Sequence, residues 1–174
     1  KFMVYRIFQA YLDDENSITI ELEKSFDAYS IHFTLEDKHS SSPLTIKKIE
    51  NQEHQIIYTL SANDPIDLTE SYTVYDQDRN HTILQYRHIV QKPIFDELFS
   101  YQGRDLGASY SPQATDFKLW APISEKVLLH LEEQIIPLQR QDRGVWHTQI
   151  LGDLEGKAYY YIHKVNGKWV EVHD

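Results

Sequence analysis

Short runs of alternating apolar and polar residues, broken by polar clusters about every 10 to 15 residues, constrain this chain more than any other feature. Ser17-Ile18-Thr19-Ile20-Glu21-Leu22-Glu23 alternates without a fault. Ile31, Phe33 and Leu35 repeat the pattern, as do Ile56, Tyr58 and Leu60, then Tyr72 and Val74, then Leu84, Tyr86, His88 and Val90. Successive side chains of a strand point to opposite faces, so each run offers one face to a core and the other to solvent. The clusters Asp13–Asn16, Asp37–Pro43, Ser61–Pro65 and Asp76–Asn80 read as the turns between them. No segment sustains a helical period, so residues 2–91 are expected to form a sandwich of antiparallel sheets.

Pro93 ends this regime, and Phe95-Asp96-Glu97-Leu98-Phe99-Ser100-Tyr101 lacks a strict period of two. With room for one helical turn and three aromatic residues, 93–102 reads as a packed connector. Strands resume beyond it. In Thr115–Ala121, Phe117, Leu119 and Ala121 share a face and Trp120 lies on the other; Val127, Leu129 and Leu131 share a face in the next run. Strands near Ile135–Leu138 and Val145–Ile150 flank the turn Asp142-Arg143-Gly144. Asn166-Gly167 between Ala158–Val165 and Lys168–Val172 is the strongest hairpin signal present. A two-residue turn there sets Val165 against Lys168, Lys164 against Trp169 and Ile162 against Glu171. Tyr160, Ile162, Lys164, Trp169 and Glu171 then face outward. Tyr159, Tyr161, Val165, Val170 and Val172 face the core.

Composition removes several functions. A formal net charge of -10 disfavours nucleic acid and anionic membrane surfaces, which call for clustered Lys and Arg. No apolar run is long enough for a membrane helix, and KFMVYRIFQAYL alternates too regularly for a secretory signal. The absence of cysteine excludes disulfides, thiolate nucleophiles and cysteine-based zinc sites, and fits a cytoplasmic location. A start at Lys1 in place of Met suggests an excised piece. The nine histidines include no HExxH or tight HxH spacing, and His88 and His163 are expected mid-strand in structural roles. Asp76-Gln77-Asp78-Arg79-Asn80 lacks the glycine and the closing glutamate of a calcium loop. Acid–base catalysis by paired carboxyl groups needs two of them about 5 to 9.5 Å apart across a bond. Asp and Glu here fall in turns and on outward faces, so no catalytic residue, metal or cofactor is assigned.

Leu106-Gly107-Ala108, Phe117-Lys118-Leu119-Trp120-Ala121-Pro122, Gly144-Val145-Trp146, and Leu154-Glu155-Gly156 with Tyr159 and Tyr161 occur in a recognisable order. This half resembles the family 48 carbohydrate-binding module, an immunoglobulin-like sandwich that precedes the catalytic barrel of starch- and glycogen-acting glycoside hydrolases. Tyr101-x-Gly103-x-Asp105-Leu106-Gly107-Ala108, with Phe95-Asp96-Glu97 before it, is similar to type I pullulanases, the α-1,6 debranching enzymes of glycoside hydrolase family 13. Short members carry a further N-terminal β domain at the position of residues 1–92, in some grouped with glucan-binding modules. The resemblance implies an all-β chain of two tandem immunoglobulin-like β-sandwich domains, residues 1–92 and 103–174, joined by the connector 93–102. It implies a non-catalytic region that supports a C-terminal catalytic barrel and contacts α-glucan. A stand-alone glycogen- or starch-binding module and a β-sandwich protein-interaction module are the alternatives.

An exposed aromatic ring with polar neighbours suits the C–H face and hydroxyl rim of a sugar. Trp169, Lys164 and Tyr160 are therefore the candidate carbohydrate-binding residues. Glycogen-binding members of the resembled family stack sugar on a Trp after this same hairpin. Their binding lysine corresponds to about Ile162, which leaves Lys164 as the candidate stand-in. Their second platform Trp has no counterpart, since Leu131-Glu132-Glu133-Gln134 occupies that turn. The competing role for Trp169 is to cover a domain interface. Trp146 shares a face with Thr148 and Ile150 as a core residue would, and Trp120 is expected under the Tyr101 segment or a neighbouring domain.

Overall fold

A computed structural model describes residues 3–24 and 29–172, and most of the alternating runs form strands. The alternation expected from Lys1 and Phe2 onward thus begins outside the described residues. The chain divides into two compact units, residues 1–92 and 93–174.

The first unit contains β1 (Phe8–Asp14), β2 (Ser17–Glu23), β3 (Phe33–Glu36), β4 (Ser41–Asn51), β5 (Gln55–Ser61), β6 (Thr73–Asp76) and β7 (His81–Tyr86). Its strands follow the order β1-β2-β5-β4-β3-β6-β7, and a parallel pairing of β7 with β1 closes the ring. The result is a closed barrel whose strands fall into two layers joined through β4 and β7. Strand β4 makes one of those joins: Ser41–Leu44 pairs with β3 and Thr45–Asn51 with β5. A bulge between Ile46 and Lys48 accompanies the change of partner. Leu12, Ile18, Ile20, Leu22, Ile56 and Leu60 are buried inside, each contributing about 1.5–3 kcal/mol. Tyr58 is also fully buried; its hydroxyl donates to the Ser30 carbonyl at 2.9 Å and accepts from the Ser30 N–H at 3.1 Å.

Three expectations change here. Strand β4 was invisible as an alternating run, because the bulge shifts its register and only Leu44 is buried. Its first residues lie within the Asp37–Pro43 cluster expected to be a turn. The last run stops at Tyr86, and His88–Gln91 forms a single 3-10 turn, so His88 is not mid-strand. Arg87 leaves extended geometry at φ -131° and ψ -103°, and its guanidinium engages Asp13 at 2.6 and 2.8 Å. Ile31 precedes β3 and is largely exposed.

The second unit opens with helix α1 (Pro93–Phe99), two turns where one was expected. One sheet holds β8 (Gly107–Tyr110), β9 (Ala114–Trp120), β13 (Val145–Leu151) and β12 (Gln139–Arg140), in the order β12-β13-β9-β8. The other holds β10 (Lys126–Leu131), β11 (Gln134–Pro137), β14 (Tyr159–Val165) and β15 (Lys168–Val172), in the order β11-β10-β14-β15. This is the layered arrangement of an immunoglobulin-like sandwich. Phe117, Val127, Leu129, Leu131, Trp146 and Tyr161 form its core, as their face assignments required. The Trp146 indole N–H donates to the Ala121 carbonyl at 3.0 Å. Gly107–Tyr110 supplies edge strand β8.

Trp120 stays half-exposed on the outer face of β9, with its indole N–H shared between the carbonyls of Phe99 (2.8 Å) and Arg143 (3.0 Å). Arg143 also donates to the carbonyls of Glu97 and Ser100, so the end of α1 is fastened to the turn before β13. The Tyr101-x-Gly103-x-Asp105 motif has a local cause. Tyr101 folds back over Gly103, where a Cβ would collide with its ring, and its hydroxyl donates to Asp105. Asp105 also accepts from Lys118 on β9. The Lys118 ammonium and then the Tyr101 hydroxyl hold that carboxyl down at about 2.

Candidate functional site

The hairpin is built around two residues in the left-handed region, Asn166 at φ 51° and Gly167 at φ 77°. Two such residues match the right-handed twist of the flanking strands. They set the register: Val165 pairs with Lys168, Lys164 with Trp169 and Ile162 with Glu171. Glu125 accepts the Gly167 N–H at 3.1 Å, tying the turn to the start of β10.

Register fixes what stands together on the outward face. Trp169 is 48% exposed and directly opposite Lys164, which is partly buried. Lys126 pairs with Lys164 from the other side, so the row runs Lys126, Lys164, Trp169. The next row is Leu128, Ile162, Glu171, and the one beyond pairs His130 with Tyr160. The Tyr160 ring stacks on His130 at 4.7 Å with a 23° interplanar angle, and its hydroxyl meets His130 Nδ1 at 3.1 Å. Four residues of strand separate Tyr160 from Lys164, about 13 Å. Trp169 and Lys164 are thus contiguous, whereas Tyr160 shares their face but lies farther than one sugar ring reaches.

Lys126, Leu128 and His130 belong to this face and were not singled out from the sequence. The signal was present, since inward Val127, Leu129 and Leu131 oblige the alternate residues to face outward. Only the pairing of β10 with β14 shows which neighbours they meet. Val170 departs from its expected place. It is 48% exposed, because β15 is an edge strand whose residues are nearly all uncovered. His163 opposite it is held by Ser124, whose Oγ is 2.7 Å from Nδ1, and burial pulls its pKa down.

The Asp76–Asn80 turn is occupied by the protein itself. Arg6 places Nη1 at 3.0 Å from Asp76 and 2.7 Å from Asp78, with all three side chains buried. Asp76 Oδ1 also accepts the backbone N–H groups of Asp78 and Asn80. Among the described residues, no group of three or more His, Asp or Glu is arranged for a metal ion.

Comparison with known proteins agrees with this architecture. Residues 8–91 match the pullulanase N1-terminal domain, and residues 105–174 match carbohydrate-binding module 48, the isoamylase N-terminal domain. The chain belongs to the pullulanase family, as its N-terminal region. A pullulanase of Anoxybacillus sp. LM18-11, crystallised with maltotriose, superposes with a TM-score of 0.86 over 97% of this chain at 34% identity. The Bacillus subtilis (strain 168) pullulanase is 28% identical over 98% of the chain, and its structure with maltose gives a TM-score of 0.85. The chain spans about a quarter of the length of these relatives, 24% of the B. subtilis protein and 25% of the Anoxybacillus chain.

Proposed function

We propose that this pullulanase N-terminal region is a non-catalytic α-glucan-contacting part of a debranching glycoside hydrolase, with Trp169 and Lys164 forming the contact. One observation carries the reading: a half-exposed indole, fixed by an Asn-Gly hairpin, stands opposite an ammonium on the outward sheet face. The ring offers a stacking surface for sugar C–H groups, and Lys164 donates to hydroxyls at the rim. Tyr160, braced by His130, extends the surface in the direction of a longer chain, so an oligosaccharide engages more of it than a monosaccharide. That relatives have been crystallised with maltotriose and maltose supports the ligand class.

Electrophoresis of the chain in gels containing pullulan or amylopectin tests this. Retardation that is lost or sharply reduced in Trp169→Ala is expected. Equal retardation of wild type and variant overturns the assignment.

A second reading has its own observation. Leu128, Ile162, Pro137 and the 59%-exposed Ile135 give the same face an apolar strip. Such a strip suits packing against the catalytic barrel of a longer pullulanase. Under that reading Trp169→Ala lowers the thermal stability of the full-length enzyme and leaves glucan retardation untouched.

A further inference from the structure

The turn that sets the Trp169 hairpin has a chemistry of its own. Of the five asparagines in the chain, only Asn166 is followed by glycine. Asn16, Asn51, Asn63 and Asn80 are followed by Ser17, Gln52, Asp64 and His81. Glycine carries no side chain to shield its own backbone nitrogen, so that nitrogen can reach the preceding carboxamide. Side-chain freedom also separates Asn166 from most of the others. The carboxamide of Asn16 is held by Ala62, that of Asn51 by Tyr29 and Lys24, and that of Asn80 by Val4 and Asp76. The Asn166 carboxamide makes no hydrogen bond among the described residues, and both residues of the turn are exposed.

Glu125 opposes the reaction that this arrangement invites. Its carboxylate accepts the Gly167 N–H at 3.1 Å, and its own N–H donates to the Lys164 carbonyl at 2.8 Å. The attacking nitrogen is thus the one that Glu125 holds. Asn166 at φ 51° and Gly167 at φ 77° are fixed in the paired turn, so attack requires a local opening that breaks this hydrogen bond.

We infer that Asn166-Gly167 is a site of spontaneous deamidation, that Glu125 guards it, and that the modified turn releases Trp169 from its place opposite Lys164. Gly167 N gives its proton to water and bonds to Asn166 Cγ. The carboxamide nitrogen leaves as ammonia, with a proton returned by water. A second water molecule then opens the cyclic imide. Breaking the new N–Cγ bond leaves aspartate at position 166. Breaking the peptide bond to Gly167 leaves isoaspartate, with the backbone routed through Cβ. The isoaspartate route lengthens a two-residue turn by one backbone atom, which the close pairing of Val165 with Lys168 does not accommodate. Either product adds a negative charge near Glu125. This chemistry is independent of what the Trp169 face binds.

Incubation of the whole chain at mildly alkaline pH, followed by digestion and mass spectrometry, tests the site. The peptide containing Asn166 is expected to gain the mass of deamidation before any other asparagine peptide. Asn63 is also exposed but precedes Asp64, and its deamidation at an equal or earlier time rejects the site. Glu125→Ala is expected to deamidate about tenfold faster than wild type, the ratio set by losing a hydrogen bond to a charged acceptor. Glu125→Gln keeps an acceptor in that place and is expected to stay closer to wild type. An unchanged or slower rate in Glu125→Ala overturns the guarding role. In the aged chain the backbone amide resonances of Lys164 and Trp169 are expected to move. Asn166→Gly suits the same turn and has no carboxamide, so it is expected to keep them in place through the same incubation. A deamidated chain in which those resonances stay unmoved overturns the release of Trp169.

Discussion

Trp169 stands directly across the hairpin from Lys164, and this pairing depends on the two-residue turn Asn166-Gly167. Lengthening the turn or slipping the pairing by one residue would send the indole to the opposite face of the sheet. The turn is therefore as important to the candidate surface as the side chains on it. At Gly167 a Cβ would meet nothing within 4 Å, but φ is 77°, so the constraint is conformational and not steric. Gly167→Ala is expected to destabilise the hairpin by about 1 kcal/mol. Faster amide exchange at Lys164 and Trp169, with the β9–β13 pairing unaffected, is the measurement that checks it.

Arg6 makes a buried double ion pair in the first unit. It satisfies two buried carboxylates, and its removal leaves Asp76 and Asp78 facing each other without a cation. Arg6→Ala is expected to cost about 3–5 kcal/mol, read from urea unfolding followed on signals of the first unit. Arg6→Met combined with Asp76→Asn and Asp78→Asn removes the charges together and is expected to recover most of that loss. A triple variant no more stable than Arg6→Ala alone would refute the charge account.

Asp13 gives the first unit an acid limit. Burial alone would raise its pKa, but Arg87, the Thr19 hydroxyl and the His88 N–H outweigh it and hold the carboxyl at about 2. A carboxyl lowered on folding adds stability that is fully present above its unfolded value near 4 and is lost as pH falls toward 2. The pair is partly exposed, which discounts the contribution to about 1–2 kcal/mol. Asp13→Asn is expected to flatten the stability profile between about pH 4 and pH 2, with little change in its shape above pH 5. Urea midpoints across that range supply the test.

Much of this architecture was legible in the sequence, and the parts that were not share a physical reason. Ile18, Ile20 and Leu22 announce β2 because every second side chain is buried. Strand β4 passes from one layer to the other through a bulge, and a strand that changes partners has no single alternation to read. His88 looked like a strand residue because Leu84, Tyr86, His88 and Val90 keep the period by composition. The backbone leaves extended geometry at Arg87, where the pull comes from Asp13, 74 positions away. The outward place of Trp169 was legible because the Asn-Gly turn is local. Its neighbours Lys126 and His130 were not, since their pairing with β14 is long-range.

Gly144 links the two motifs that mark the second unit, Trp120-Ala121-Pro122 and Gly144-Val145-Trp146. It sits at φ 80°, its carbonyl accepts the Ala121 N–H at 2.8 Å, and a Cβ there would stand 2.6 Å from Pro122 Cβ and 2.8 Å from Pro122 Cα. Neither contact can be relieved by a side-chain rotation, because one atom is backbone and the other belongs to a fixed ring. Gly144→Ala therefore combines backbone strain with a collision and is expected to cost about 2–4 kcal/mol. Gly152→Ala is the control: its φ of 103° carries the strain, but a Cβ there meets nothing within 4 Å. The difference between the two variants isolates the collision with Pro122. Because Val145 pairs with Trp120, moving this turn is also expected to weaken the hold of the Phe99 and Arg143 carbonyls on the Trp120 indole. Thermal unfolding ranks the two variants, and the indole N–H resonance of Trp120 reports the local change. Equal melting temperatures for Gly144→Ala and Gly152→Ala would show that the close approach of Pro122 carries no energetic weight.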